Sequence, residues 1–218
     1  VSVPYWLENC TNLYVHLIRN PPGIGFPDDK YPETVLHCVQ VSVRVSDLDK
    51  FLIEHPQENI WRSWQLFSDN LCLNAVSYVP LLFDIDNEEQ NLEAAYTLTR
   101  ECLDILEKID QYHLPDHLRV VFSGMKGFHI EARPLEPVDN RSLRDILLCK
   151  LRQSGLNLRG CKNCFENGTI DTCHSFIRLT GSINSWRDKN INRKRKTIQL
   201  TLDEFRKTQI EDLIIKAD

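Results

Sequence analysis

The sequence has no apolar run approaching the ~20 residues that a membrane helix needs, and no basic-then-apolar leader opens it. A membrane span and secretion are therefore not expected, and an intracellular setting, cytoplasm or nucleus, is. Methionine is nearly absent: Met125 is the single one in 218 residues, and the chain opens on Val1. That pattern is expected of a piece excised from a longer protein. No internal repeat and no low-complexity tract occurs. Positive charge is not in excess either, with 26 Lys and Arg against 31 Asp and Glu. A net charge of −5 argues against nucleic acid as a partner of the whole surface, although the C-terminal third is locally basic. Eight cysteines are present, but without a secretory leader they do not read as a disulfide framework. What remains, 42% hydrophobic and 26% charged residues, suits a soluble globular chain with one domain, or one core and a smaller lobe.

In chain order, NPPGIGFPDDKYP within the first 35 residues is loop by its Pro, Gly and Asp content. Alternation over 34–46 predicts a strand, and VSDLDKFLIEHP a short helix capped by Ser46 or Asp47 and ended by Pro56. An aromatic-rich stretch at 59–70 carries Trp61, Arg62, Trp64 and Phe67, which either stack on bases or pack in a core. Residues 71–86 read as one or two strands. Four cysteines, Cys38, Cys72, Cys102 and Cys149, fall in strand-like or helical apolar surroundings and read as small buried hydrophobes.

From residue 78 the pattern sharpens. LLFDID is a strand with Leu81, Phe83 and Ile85 on one face and Leu82, Asp84 and Asp86 on the other. Residues 88–110 carry an apolar stripe at helical spacing; LRVVF (118–122) and FHIEA (128–132) are strands joined by the turn SGMKG. A second helix, capped by Asp139 or Asn140, follows at 142–155, with Leu143, Ile146, Leu147, Lys150 and Leu151 inward. The last strand lies in RKRKTIQLTL, and the final helix opens on the capping box Thr201-x-x-Glu204. The order is β-α-β-β-α-β, a split βαβ arrangement. It places the first and third strands side by side, both helices on one face, and Asp84, Asp86 and His129 together on the uncovered face.

Two carboxylates at i, i+2 on a rigid strand can hold one or two hard divalent cations, Mg²⁺ or Mn²⁺, which recruit phosphate oxygens. Two such ions about 3.5–4 Å apart clamp the attacking and leaving oxygens of a phosphoryl displacement. The SGMKG turn fits as the phosphate-holding partner: Gly124 and Gly127 let backbone N–H groups approach, and Ser123, Lys126 and His129 add donors or charge. Taken singly, a DxD ends many strands and SGMKG could be a plain hairpin turn. DIDNEE is not an EF-hand loop, because Glu89 stands where glycine is required.

These motifs resemble those of the archaeo-eukaryotic primase superfamily. Its apolar strand ending in DxD is matched by Asp84 and Asp86, and its SGxxGxH by Ser123, Gly124, Gly127 and His129. Its Asp followed by an RxPGSxN-type segment is matched by Asp171 and by Arg178, Gly181, Ser182 and Asn184. The resemblance spans about 78–187. Thr180 departs from the proline of the third motif, and the short Asp171–Arg178 spacing leaves Glu166 as an alternative carboxylate.

The resemblance implies an α+β fold, an RRM-like catalytic half (78–218, with a Cys-rich loop at about 156–174) packed on an N-terminal αβ lobe (1–77). It implies Asp84, Asp86 and Asp171 as catalytic metal ligands for two Mg²⁺ or Mn²⁺ ions. It also implies that Ser123, His129 and Arg178 hold the incoming nucleotide's phosphates, with Gly124, Lys126, Gly127 and Ser182 beside them. The implied activity is DNA-directed primase or polymerase chemistry on a single-stranded DNA template with (d)NTP substrates, RNA or DNA product remaining open. An inactive nucleic-acid-binding relative and a metal-dependent nuclease are the alternatives. Further domains, or a helicase or large subunit, are implied outside the present chain. Cys161-x-x-Cys164 with Cys173 and His174 reads either as a structural zinc site or as free thiols on a loop. The basic run, with Arg187, Lys189, Arg193, Lys194 and Arg195, reads as a backbone contact for template or primer.

Overall fold

The computed structural model describes residues 11–20, 39–63, 65–74, 76, 81–86, 91–108, 118–132, 149–156, 158–159, 170–171, 176–188 and 191–218. Its strands are β1 (Tyr14–Asn20), β2 (Val39–Arg44), β3 (Asn59–Ser63), β4 (Leu81–Asp86), β5 (Leu118–Phe122) and β6 (Gly127–Ala132). They continue with β7 (Leu158–Arg159), β8 (Ile170–Asp171), β9 (Phe176–Arg178), β10 (Ile183–Asp188), β11 (Ile191–Lys196) and β12 (Ile198–Thr201). The helices are α1 (Leu48–Glu54), α2 (Leu92–Leu106), α3 (149–153), α4 (Leu202–Lys207) and α5 (Ile210–Ala217). Among the described residues, no helix is long and apolar enough to cross a membrane.

The chain forms two compact units, 1–76 with 175–197, and 77–174 with 198–218. The sequence reading grouped 175–197 with the C-terminal half. In the structure β9 pairs antiparallel with β3, because a strand is placed by the edge that offers it hydrogen bonds rather than by its neighbours in sequence.

In the first unit a four-stranded sheet runs β2-β1-β3-β9. Strand alternation sends Val15, Leu17 and Ile60 to one face, where they pack with Leu48 and Leu52 of α1. Asp47 precedes α1 but makes no side-chain cap bond, since a 3₁₀ turn at Val45–Asp47 leads directly into the helix. Residues 71–74, expected as strand, are turn: the Asp69 carboxylate accepts the amides of Leu71, Leu73 and Asn74 at 2.8–3.2 Å and folds the chain back on itself. Those bonds hold the Asp69 carboxyl below its ordinary pKa. Cys72 lies in that turn at φ +55 and is half-buried, so it is no strand hydrophobe. The basic run forms the hairpin β10–β11, with Asn184 opposite Arg195 and Ser185 opposite Lys194.

In the second unit a six-stranded sheet runs β12-β5-β6-β4-β8-β7. As expected, β4 and β6 are adjacent in its middle, and Phe83, Ile85, Phe128 and Ile130 face a core shared with Tyr96, Cys102, Leu103 and Leu106 of α2. Tyr96, Phe122, Phe128 and Phe205 form a ring cluster with centroids 5.0–5.9 Å apart. Leu151 of α3 joins the same core, so α2 and α3 cover one face. Burial raises the Cys102 thiol well above its ordinary pKa, whereas Cys149 is exposed, contrary to its expected burial.

The fourth strand differs from expectation. The β12 strand pairs with β5 at the far edge, and the place beside β4 goes to β8, with β7 parallel to it. The crossover from β6 through α3 therefore ends on β7 and β8. A second expectation also fails: the face opposite the helices is not open. His129, Glu131, Val121 and Leu82 on that face are all buried.

Candidate active site

Five strands contribute to one row across the second sheet. Gln199 of β12 stands opposite Val121, Val121 opposite His129, His129 opposite Asp84, and Asp84 opposite Asp171 of β8. Register partners in a sheet lie about 4.5–5.5 Å apart and share a face. Asp171, 42 positions beyond His129 in the sequence, is thus brought by β8 directly beside Asp84, and β7 adds Arg159 opposite Asp171. The ligand in doubt between Asp171 and Glu166 acquires a backbone position for the former, while Glu166 lies outside the described residues. Asp86 stands two residues on from Asp84, opposite Gly127.

Within the row, His129 Nε2 lies 3.2 Å from Asp84 Oδ1. The imidazole is 9% exposed and the carboxylate 17%, so the pair is shielded from bulk water, which would weaken their interaction. Among the described residues no group of three His, Cys, Asp or Glu side chains is gathered as a metal cage, and the side chains of Asp86 and Asp171 fall outside that description. Three carboxylates would offer an all-oxygen donor set, the kind that hard divalent ions prefer.

The SGMKG turn closes the β5–β6 hairpin at the sheet end where β4 finishes with Asp86. Ser123 donates its backbone N–H to the Gly127 carbonyl at 3.1 Å, and Gly124 sits at φ +88, a conformation in which a Cβ is strained. Ser123 is buried and Lys126 half-buried.

Arg178 and Ser182 belong to the first unit. Arg178 donates through Nη1 to Asn59 Oδ1 at 2.8 Å and to the Ile183 carbonyl at 3.4 Å, and its guanidinium lies 4.5 Å over the Trp61 ring. Ser182 is 2% exposed and its hydroxyl sits 2.6 Å from the Leu179 carbonyl and 3.2 Å from that of Ile60. Its proton is committed to the turn that Gly181, at φ +86, completes. Of the basic run, Arg187 and Arg193 stand in β10 and β11, and Lys194 is exposed beside a half-buried Arg195. Lys189, Cys38, Trp64, Cys161, Cys164, Cys173 and His174 lie outside the described residues.

The sequence reading passed over Glu131. It is 1% exposed, two positions beyond His129, and opposite Arg119 of β5. The alternation of FHIEA already places it on the His129 face. A buried carboxylate there calls for a partner, and the register supplies an arginine.

No protein-family model and no curated protein sequence matches the chain. Among solved structures it is similar to the polymerase domain of Mycobacterium tuberculosis Ligase D in complex with DNA, at a TM-score of 0.52 and 16% identity. The match covers 97% of this chain and 88% of that one. At that identity the likeness is one of fold.

Proposed function

We propose that the chain is a template-directed nucleotidyltransferase of primase-polymerase type, acting on nucleoside triphosphates and a single-stranded DNA template. The observation that carries this reading is the row Asp171–Asp84–His129 across three adjacent strands. Burial needs no such set, and two-metal phosphoryl transfer does. The fold likeness to a polymerase domain solved with DNA supports it.

In this reading Asp84, Asp86 and Asp171 hold Mg²⁺ or Mn²⁺, which when bound would stabilise charge on the transferring phosphoryl group. His129 donates to a phosphate oxygen of the nucleotide, and its distance to Asp84 couples nucleotide placement to the carboxylate side of the site. The glycines of the SGMKG turn allow a triphosphate to approach backbone N–H groups, with Ser123 and Lys126 beside them. Within the first unit, Arg178, held by Asn59 and Trp61, is a candidate phosphate-binding residue by the same resemblance, with Ser182 shaping its turn. The hairpin bearing Arg187, Lys189, Arg193, Lys194 and Arg195 contacts the nucleic-acid backbone. Cys161, Cys164, Cys173 and His174 are proposed to bind a structural zinc; metal analysis showing under about a tenth of an equivalent of zinc per chain, in protein prepared without chelator, would refute this.

The test is an end-labelled single-stranded template incubated with Mg²⁺ or Mn²⁺, with ribo- or deoxynucleotides and without them. Nucleotide-dependent lengthening is expected, and the nucleotide set that supports it identifies the product. Asp84→Ala and Asp86→Ala should each lower incorporation by a factor on the order of 10³ with unchanged circular dichroism. Metal-dependent shortening would identify a nuclease instead, and template binding with no incorporation would identify a binding module.

A further inference from the structure

We infer that the face of the first unit's sheet opposite α1 is a docking platform for unpaired nucleic-acid bases. The inference deepens the proposed function by assigning the template strand a surface, and it rests on residues outside the carboxylate row. Because α1 packs on Val15, Leu17 and Ile60, alternation sends Tyr14, His16 and Trp61 to the other face. None of these three is fully buried.

Two of the rings are already paired with arginines. The Arg44 guanidinium lies 5.3 Å from the Tyr14 ring centroid and donates to the Tyr14 hydroxyl at 2.8 Å. Arg178 lies 4.5 Å over Trp61. The register places Tyr14 opposite Arg44 and Trp61 opposite both Ile18 and Arg178. With about 3.4 Å per residue and about 4.8 Å between strands, Tyr14 and His16 stand roughly 7 Å apart, and His16 and Trp61 roughly 8 Å. Three flat π-surfaces thus follow one another diagonally across β1 and β3, as successive splayed bases require. Aromatic platforms on a sheet with cations beside them are how sequence-tolerant single-strand binding is built.

Charge selects the occupant. The described strand positions on this face carry two arginines and a histidine and no carboxylate, with the Asp47 carboxylate near Arg44 just past the end of β2, in a chain whose net charge is −5. An anionic strand is therefore favoured locally against the overall sign. An acidic peptide would satisfy the arginines but bring no flat π-surface to the rings.

The experiment uses the full chain with a fluorescein-labelled oligothymidylate about twelve nucleotides long, in EDTA and without nucleotide, so that binding is read apart from incorporation. Anisotropy is measured across about 50–200 mM salt. Wild type is expected to prefer the single strand over the same sequence as duplex, because a paired base cannot stack on the rings. Tyr14→Ala and His16→Ala are each expected to weaken binding about tenfold. Arg44→Gln, at an exposed position of β2, is expected to reduce the slope of log affinity against log salt by about 0.7. Lys50→Ala on the opposite face serves as control and should change neither. Wild-type affinity and slope in Arg44→Gln, equal binding of duplex and single strand, or displacement by polyglutamate as effective as by oligothymidylate would each overturn the platform. Because binding is read in EDTA and without nucleotide, a failed incorporation assay leaves this result intact and the two ideas fail separately.

Discussion

At the scale of single residues, the site turns on His129 Nε2 lying 3.2 Å from Asp84 Oδ1 across β6 and β4. Asp84 and His129 were legible because period-two alternation fixes which side of a strand a residue takes, and their pairing follows once β4 and β6 are neighbours. Asp171 was readable only as a residue type at an uncertain spacing. A two-residue strand has no periodicity, and its place beside Asp84 is set by hydrogen bonding to β4. Gly124 is a residue whose identity the backbone demands. At φ +88 an alanine is strained, and the turn it anchors ends against Asp86 through Gly127. Gly124→Ala should cost about 1–2 kcal/mol of stability and raise KM for nucleotide while the carboxylate row is untouched. A differential melt together with a nucleotide titration checks both. An unchanged melt would show that the turn tolerates a Cβ, and an unchanged KM that the turn does not face the triphosphate.

Elements were legible in proportion to their length and to the clarity of their ends. The stripe of α2 survives in the structure as buried Ala95, Tyr96, Thr99, Cys102, Leu103 and Leu106, with Asn91 accepting the Ala94 amide at its start. Residues 71–74 look like strand because their leucines are apolar in sequence, yet Leu71 and Leu73 are more than 70% exposed. The capping box of α4 was read and is present in full: Thr201 Oγ1 accepts the Glu204 amide at 3.1 Å, and Glu204 accepts the Thr201 amide at 2.7 Å. The backbone bond holds the Glu204 carboxyl below its ordinary pKa. A group with a depressed folded pKa contributes stability above its unfolded value, and that contribution disappears as pH falls through the folded one. Thr201→Ala should therefore cost about 1 kcal/mol at neutral pH. The gap in melting temperature between wild type and Glu204→Gln should be widest near neutrality and close below about pH 4. A gap that widens on acidification would contradict the sign of the linkage.

For the whole molecule, the order βαββαβ gave the sheet centre correctly and its edges wrongly, because an edge can be claimed by any later segment. Each unit encloses a core of its own: Val15, Leu17, Ile60 and Leu179 in one, Phe83, Phe128, Leu103 and Phe205 in the other. The chain crosses between them after residues 76, 174 and 197. A core without borrowed residues is the condition for folding independently. A chain of residues 77–218 in which 175–197 is replaced by a flexible linker of about ten residues should then unfold cooperatively and keep the near-ultraviolet signal of Tyr96 in its ring cluster. The same region ended at residue 174 loses β12, α4 and α5, and with them Phe205 and the carbonyl of Thr208 that Tyr96 bonds at 2.8 Å. Truncating that much buried aromatic surface costs at least 3–5 kcal/mol for the phenylalanine by itself, about half the stability of an ordinary domain, so this shorter chain should lack a cooperative transition. If the two behave alike, the C-terminal strand and helices are dispensable decoration. If only the longer one folds, the carboxylate row is carried by a unit that needs both its early and its late segments, which is why no contiguous stretch of the sequence displays the site.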